Sequence, residues 1–80
     1  MNRRRLLQRI QSGAVENIAI SDVEDLLVGL GFSFELIHGS HRIYRHPGVP
    51  RLRPSHGNAK GYQVRQIAKL VEAYNLQLED

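Results

Sequence analysis

The chain has 80 residues, 41% of them hydrophobic and 24% charged, with a formal net charge of +3. That length allows one domain with one small core, and the composition is that of a folded globular chain. With no cysteine there is no disulfide framework, thiolate nucleophile or cysteine-bound metal centre, and no run of about 18 apolar residues is present to span a membrane.

Arg3 to Gln11 is predicted as a short helix, with Leu6, Leu7 and Ile10 on one stripe and Gly13 just past its end. The arginines before Val15 loosely resemble a transit peptide. A helical arm belonging to the fold is the simpler reading, and no apolar core of a secretory signal follows. Ala14 to Ile20 is a connector or a short extended piece, with Ile18 and Ile20 available to pack. Ser21 to Leu30 is predicted as the second helix. Ser21 and Glu24 match an S-x-x-E capping box, and Asp22, Glu24 and Asp25 complement the positive helix start. Val23, Leu26, Leu27 and Leu30 recur on one apolar face, and Gly31 permits the left-handed conformation that ends the helix.

Phe32 to Ile37 reads as a strand in which Phe32, Phe34 and Leu36 alternate with Ser33, Glu35 and Ile37. His38-Gly39-Ser40 is a turn, and His41 to His46 is the second strand of a hairpin. Pro47-Gly48 breaks it. Val49 to Arg53 is a third strand, confined to a sheet edge by Pro50 and Pro54. Ser55 to Lys60 reads as a polar loop. A final helix runs from Gly61 or Tyr62 to about Asn75, with Val64, Ile67, Ala68, Val71 and Tyr74 on its inner stripe. The expected fold is α+β, a three-stranded antiparallel sheet with helices packed on one face plus a short N-terminal helix. One domain is expected over 1–80: a helical extension over 1–20, a core over 21–76 and a tail over 77–80.

Charge is informative by position. Glu16, Asp22, Glu24, Asp25 and Glu35 lie early, Glu72, Glu79 and Asp80 late, and no acid lies between Leu36 and Val71. That stretch holds Arg42, Arg45, Arg51, Arg53, Lys60, Arg65 and Lys69 and all four histidines. If these residues share a face, they form a surface for a polyanion.

The densest constellation is Gly39 to Pro47. Strand alternation sends His41, Ile43 and Arg45 one way and Arg42, Tyr44 and His46 the other, and leaves open which set is exposed. A histidine, with an unperturbed pKa of about 6.5, can both take and give a proton near neutrality. RNA transesterification needs that: a base for the 2′-hydroxyl proton and an acid for the leaving 5′-oxygen, with arginines to hold the phosphate. The bland alternative for His41 is a polar turn residue. A metal site is disfavoured, because His38, His41, His46 and His56 lack paired ligand spacing and no carboxylate lies between them. Ser40 as a nucleophile is disfavoured because adjacent strand residues point to opposite faces. Arg65 and Lys69, four apart on the last helix, could follow a phosphate backbone with Lys60, or serve solubility alone. Tyr62 and Tyr74 read as packing residues.

Together, Leu30-Gly31-Phe32, Gly39-Ser40-His41 with Tyr44-Arg45-His46-Pro47, Pro54-x-His56-Gly57 and Lys60-Gly61 before a basic helix resemble the HicA toxins of HicA/HicB toxin–antitoxin systems. The likeness covers about residues 20 to 76, in the branch with an added N-terminal helix and a helix start like Lys60-Gly61-Tyr62-Gln63-Val64-Arg65-Gln66. It implies a double-stranded-RNA-binding-like fold, metal-independent and ribosome-independent mRNA cleavage in the cytoplasm, no cofactor, and neutralisation by a HicB-type antitoxin. His41 would be the catalytic histidine, with Gly39 and Ser40 shaping its turn. Arg42 and Tyr44 would face the helices and His41 would face outward. Arg42, Arg45, Arg53, Lys60, Arg65 and Lys69 are the expected RNA contacts, and His56, His46, Tyr44 or water could serve as the second proton-transfer group, a choice that sequence spacing leaves open. This chain has Leu52-Arg53-Pro54 where this branch often shows Leu-Gln-Pro. The alternative function is an RNA-binding module without chemistry; a DNA-binding accessory domain is a third.

Overall fold

The computed structural model describes residues 2–39, 41–52, 58–59 and 61–78; for His38, His41, Asn58, Ala59 and Tyr62 it describes the backbone alone. Helix α1 (Arg3–Gln11) begins at Asn2, whose side-chain oxygen accepts hydrogen bonds from the Arg4 and Arg5 amides at 2.8 and 3.3 Å. It ends at Gly13, which has φ +94. The Gly13 amide donates to the Ile10 carbonyl and the Ala14 amide to Arg9, a Schellman closure.

The connector then contains strand β1 (Ile18–Ala19), the extended alternative of the sequence reading. Its partner is β5 (Asn58–Ala59), antiparallel, with Ile18 opposite Ala59. One strand of this pair, β5, therefore lies inside Ser55 to Lys60, the stretch expected to be wholly loop.

This pairing shifts the next helix. Helix α2 (Ile20–Gly29) starts one residue early, because extended Ala19 is its N-cap. Ser21 thus falls inside the first turn, and the expected capping box does not form: the N-cap has no side-chain hydrogen bond. Glu24 has other partners. The C-terminus matches expectation. Gly31 has φ +96, its amide donates to Val28, and the Phe32 amide donates to Leu27. Phe32 and Leu27 are both buried.

Strands β2 (Ser33–His38), β3 (His41–His46) and β4 (Val49–Leu52) form an antiparallel sheet in the order β2-β3-β4. Pro50 sits on edge strand β4, where a missing amide is tolerated. Pro47 followed by Gly48 at φ +75 has the residue order of a type II turn. Helix α3 (Gly61–Tyr74) closes at Asn75, with φ +51.

The core lies between the helices and one sheet face. Leu6 and Ile10 come from α1, Val23, Leu26 and Leu27 from α2, and Val64, Ile67 and Val71 from α3. Tyr44 and Leu52, opposite one another in register, close it from the sheet. A further sequence expectation is corrected. Tyr74 is exposed, because the chain turns back at Asn75 and Leu76 and Leu78 pack on the core. Phe34 and Leu36 are also exposed. A register shift between them breaks the alternation, and β2 is an edge strand.

An ion pair ties α1 to α2. Arg3 donates to both Asp25 oxygens, at 2.9 and 2.8 Å. Gly29, one turn further along α2, clears its path: a Cβ there would stand 2.7 Å from Arg3 Cδ. The hydrogen bond from Arg3 holds the Asp25 carboxyl below its ordinary 3.8. The folded state thus prefers the charged form. The stabilisation is present above pH 3.8 and is lost as pH falls through the lowered value. Asp25→Asn is expected to lower Tm by about 1–3 °C at neutral pH. Thermal melts should show the two proteins converging at strongly acidic pH.

Candidate functional site on the hairpin and open sheet face

His38 pairs with His41 across the β2–β3 hairpin, leaving a two-residue turn. Such turns need positive φ at their first central residue, and Gly39 has φ +63. A Cβ at Gly39 would meet nothing within 4 Å, so the requirement is conformational rather than steric. Ser40 lies outside the described residues. His41 is the first residue of β3, and its position has the strand parity of Ile43 and Arg45.

The other parity of β3 faces the helices, as the resemblance implied for Arg42 and Tyr44. The Tyr44 ring is buried and its hydroxyl donates to Glu24 Oε2 at 2.9 Å. Arg42 Nη1 lies 3.7 Å from the same oxygen, and its guanidinium sits 5.8 Å from the Phe34 ring centre. Burial pushes the Tyr44 hydroxyl above its ordinary 10.0, and the hydrogen bond and negative charge of Glu24 push it further. His46 shares this parity. Its ring packs edge-on against Phe32 at 5.2 Å, and its Nδ1 is 3.0 Å from the Pro47 carbonyl, to which Nδ1–H donates in that tautomer. Positions 41 and 46 are five residue steps apart along the strand, about 17 Å. The structure does not bring these two positions together.

The opposite face of the sheet carries charges that sequence reasoning did not connect. Glu35 lies at the register shift of β2, Arg45 on β3 and Arg51 on β4. Arg45 Nε is 3.4 Å from Glu35 Oε2 and Arg51 Nη2 is 3.3 Å from Oε1. The Glu35 side chain is 16% exposed, the two arginines 58% and 64%. Cross-strand opposite charges were a signal in the sequence, but the irregular register hid which residues would meet.

The expected basic residues therefore do not share one face. Arg42 turns toward α2 and Arg45 toward the open side. Arg65 is exposed and lines a groove with Arg9 and the loop from Gly13 to Asn17; Arg9 holds that loop through the Ala14 and Glu16 carbonyls at 3.1 and 2.6 Å. Lys69 lies one turn along α3, near Gln11 and Glu72. Arg53, His56 and Lys60 lie outside the described residues. Among the described residues no three His, Asp or Glu side chains gather as metal ligands, and no helix is long and apolar enough to cross a membrane.

Setting α1 and the β1–β5 pair aside, the order is α2-β2-β3-β4-α3, with the helices over one face of a three-stranded meander. This is the class of small α+β domains with a double-stranded-RNA-binding-like architecture. The family model described as the HicA toxin of bacterial toxin–antitoxin systems matches residues 20–73, and the chain belongs to that family. Neither the curated proteins nor the solved structures gave a match. The chain is thus a toxin of a toxin–antitoxin system, with an antitoxin as its partner.

Tyr44→Phe removes the hydroxyl that joins β3 to α2 while keeping the ring. The expected cost is about 1–2 kcal/mol, or about 5–10 °C in Tm for a domain of this size. Because folding raises the hydroxyl's pKa, the contribution is full below pH 10.0 and is lost as pH rises through the raised value. Melts at neutral and alkaline pH should show the difference narrowing.

Proposed function

We propose that this toxin is a metal-independent, ribosome-independent endoribonuclease acting on mRNA in the cytoplasm, with His41 as its acid–base residue. The observation that carries the reading is the family match over residues 20–73, which contains Gly39-Ser40-His41 at the turn into β3. In the proposed step the imidazole takes the 2′-hydroxyl proton and the 2′-oxygen bonds to the adjacent phosphorus. The P–O5′ bond breaks, and the leaving oxygen receives a proton. The products are a cyclic 2′,3′-phosphate and a 5′-hydroxyl. Single-stranded RNA is the favoured substrate, because in-line attack opposes regular A-form geometry.

His46 lies at the far end of β3 from position 41 and the Tyr44 hydroxyl points to Glu24, which leaves His56 or water for the second proton transfer. Arg45 on the open sheet face is the proposed primary RNA contact, with Arg53 and Lys60 as further proposed contacts; Arg42, which turns toward α2, and Arg65 and Lys69 on α3 would touch only flanking RNA that extends past that face. A HicB-type antitoxin covering the hairpin would block both binding and chemistry.

The test incubates the chain and its His41→Ala variant with a long RNA in EDTA and identifies the new ends. The expected result is cleavage by the wild type to cyclic-phosphate ends and a rate lower by about 10²–10⁴-fold in the variant. DNA of the same sequence should remain intact. Equal RNA binding by both proteins with no cutting by either would support the alternative, an RNA-binding module without chemistry. Equal cutting by both would remove His41 from the mechanism.

A further inference from the structure

The geometry points to a phosphate clamp on the open sheet face, in which Glu35 holds Arg45 and Arg51 side by side to grip the RNA backbone. This rests on the RNA reading above and adds two residues to it: Arg51 as a contact and Glu35 as a positioning residue.

Three strands each supply one member of the clamp. Glu35 sits at the β2 register shift, the kind of irregularity that re-aims a side chain. Its two oxygens each face a different guanidinium, Oε2 toward Arg45 at 3.4 Å and Oε1 toward Arg51 at 3.3 Å. One carboxylate can meet both arginines only if they converge over it. Glu35 Oε2 is buried and makes no hydrogen bond among the described residues, so Arg45 meets it as a charge rather than as a close donor. The carboxylate lies beneath and the guanidiniums lie above, more than half exposed. Two positive charges against one negative leave the cluster at a net +1.

Each guanidinium has five N–H donors and spends only part of its fork on Glu35. The remaining donors are available to phosphate oxygens, which arginine forks suit well. Ordering by Glu35 lowers the entropy lost when a phosphate is bound. Position 41 has the strand parity of Arg45, so the proposed catalytic position and the β3 member of the clamp fall on the same face of that strand.

A role in neutralising charge and a role in positioning predict opposite signs. If Glu35 only offsets charge, Glu35→Gln makes the protein more positive and RNA binds more tightly. If Glu35 positions the arginines, the same variant binds RNA more weakly despite its added charge. The experiment uses the His41→Ala chain as parent, so that RNA stays intact. It measures affinity for a single-stranded RNA oligonucleotide across a salt series, with Tm as the check on folding.

Arg51→Ala is expected to weaken binding by about tenfold and to reduce the log–log salt slope by about 0.7, one phosphate contact. Arg51→Lys should restore the slope but not the affinity, because it keeps the charge and loses the fork. Glu35→Gln should weaken binding by about three- to tenfold, with the full slope retained. Tighter binding by Glu35→Gln, or unchanged affinity and slope in Arg51→Ala, overturns the clamp; so does a parent that does not bind RNA. If the wild type fails to cut while the parent still loses RNA affinity through Arg51→Ala, the clamp stands and the nuclease reading falls.

Discussion

The Tyr44 hydroxyl reaches Glu24 of α2 from the middle strand of the sheet, while its ring fills the core opposite Leu52. This junction sets which way β3 faces. A strand shifted by one residue would exchange its two faces, placing Arg45 against the helices and Tyr44 in solvent. With Tyr44 fixed inward, Arg42 follows it toward Glu24, and Arg45 goes to the open face to meet Glu35 and Arg51. The arrangement of charge around the proposed site follows from that one choice of parity.

The helices were legible because each carries its own punctuation. Gly13 closes α1, Gly31 ends α2, and apolar residues recur at helical spacing in all three. The strands were legible through Gly39 and Pro47-Gly48, whose backbone preferences mark the turns. Less legible was anything set by long-range pairing. β1 and β5 are two residues each, and neither has a local signal strong enough to predict their meeting. That pairing then moved the start of α2 and cancelled the Ser21–Glu24 box, a motif whose local chemistry was sound. Glu24 has the position of a capping residue by local chemistry and serves instead as the acceptor for Tyr44.

The site was legible in part for the same reason. Gly39 and the parity of Tyr44 follow from the sequence and from the family resemblance. The distribution of the basic residues does not. A stretch without acids looked uniformly positive, yet Glu24 and Glu35, which precede it, are brought against Arg42 and against Arg45 with Arg51. Arg65 lies with the loop after α1. The protein thus presents several separate positive features, and the one built from three strands lies on the face that the helices leave open.

The most direct test of this account is an amide NMR titration of the isotope-labelled His41→Ala chain with a short single-stranded RNA. If the open face is where RNA lies, the perturbed amides will run through Gly39, along β3 and into β4 near Arg51. Perturbations confined to the loop from Gly13 to Asn17 and to α3 around Arg65 and Lys69 would contradict it, and would move the RNA to the helical side of the molecule.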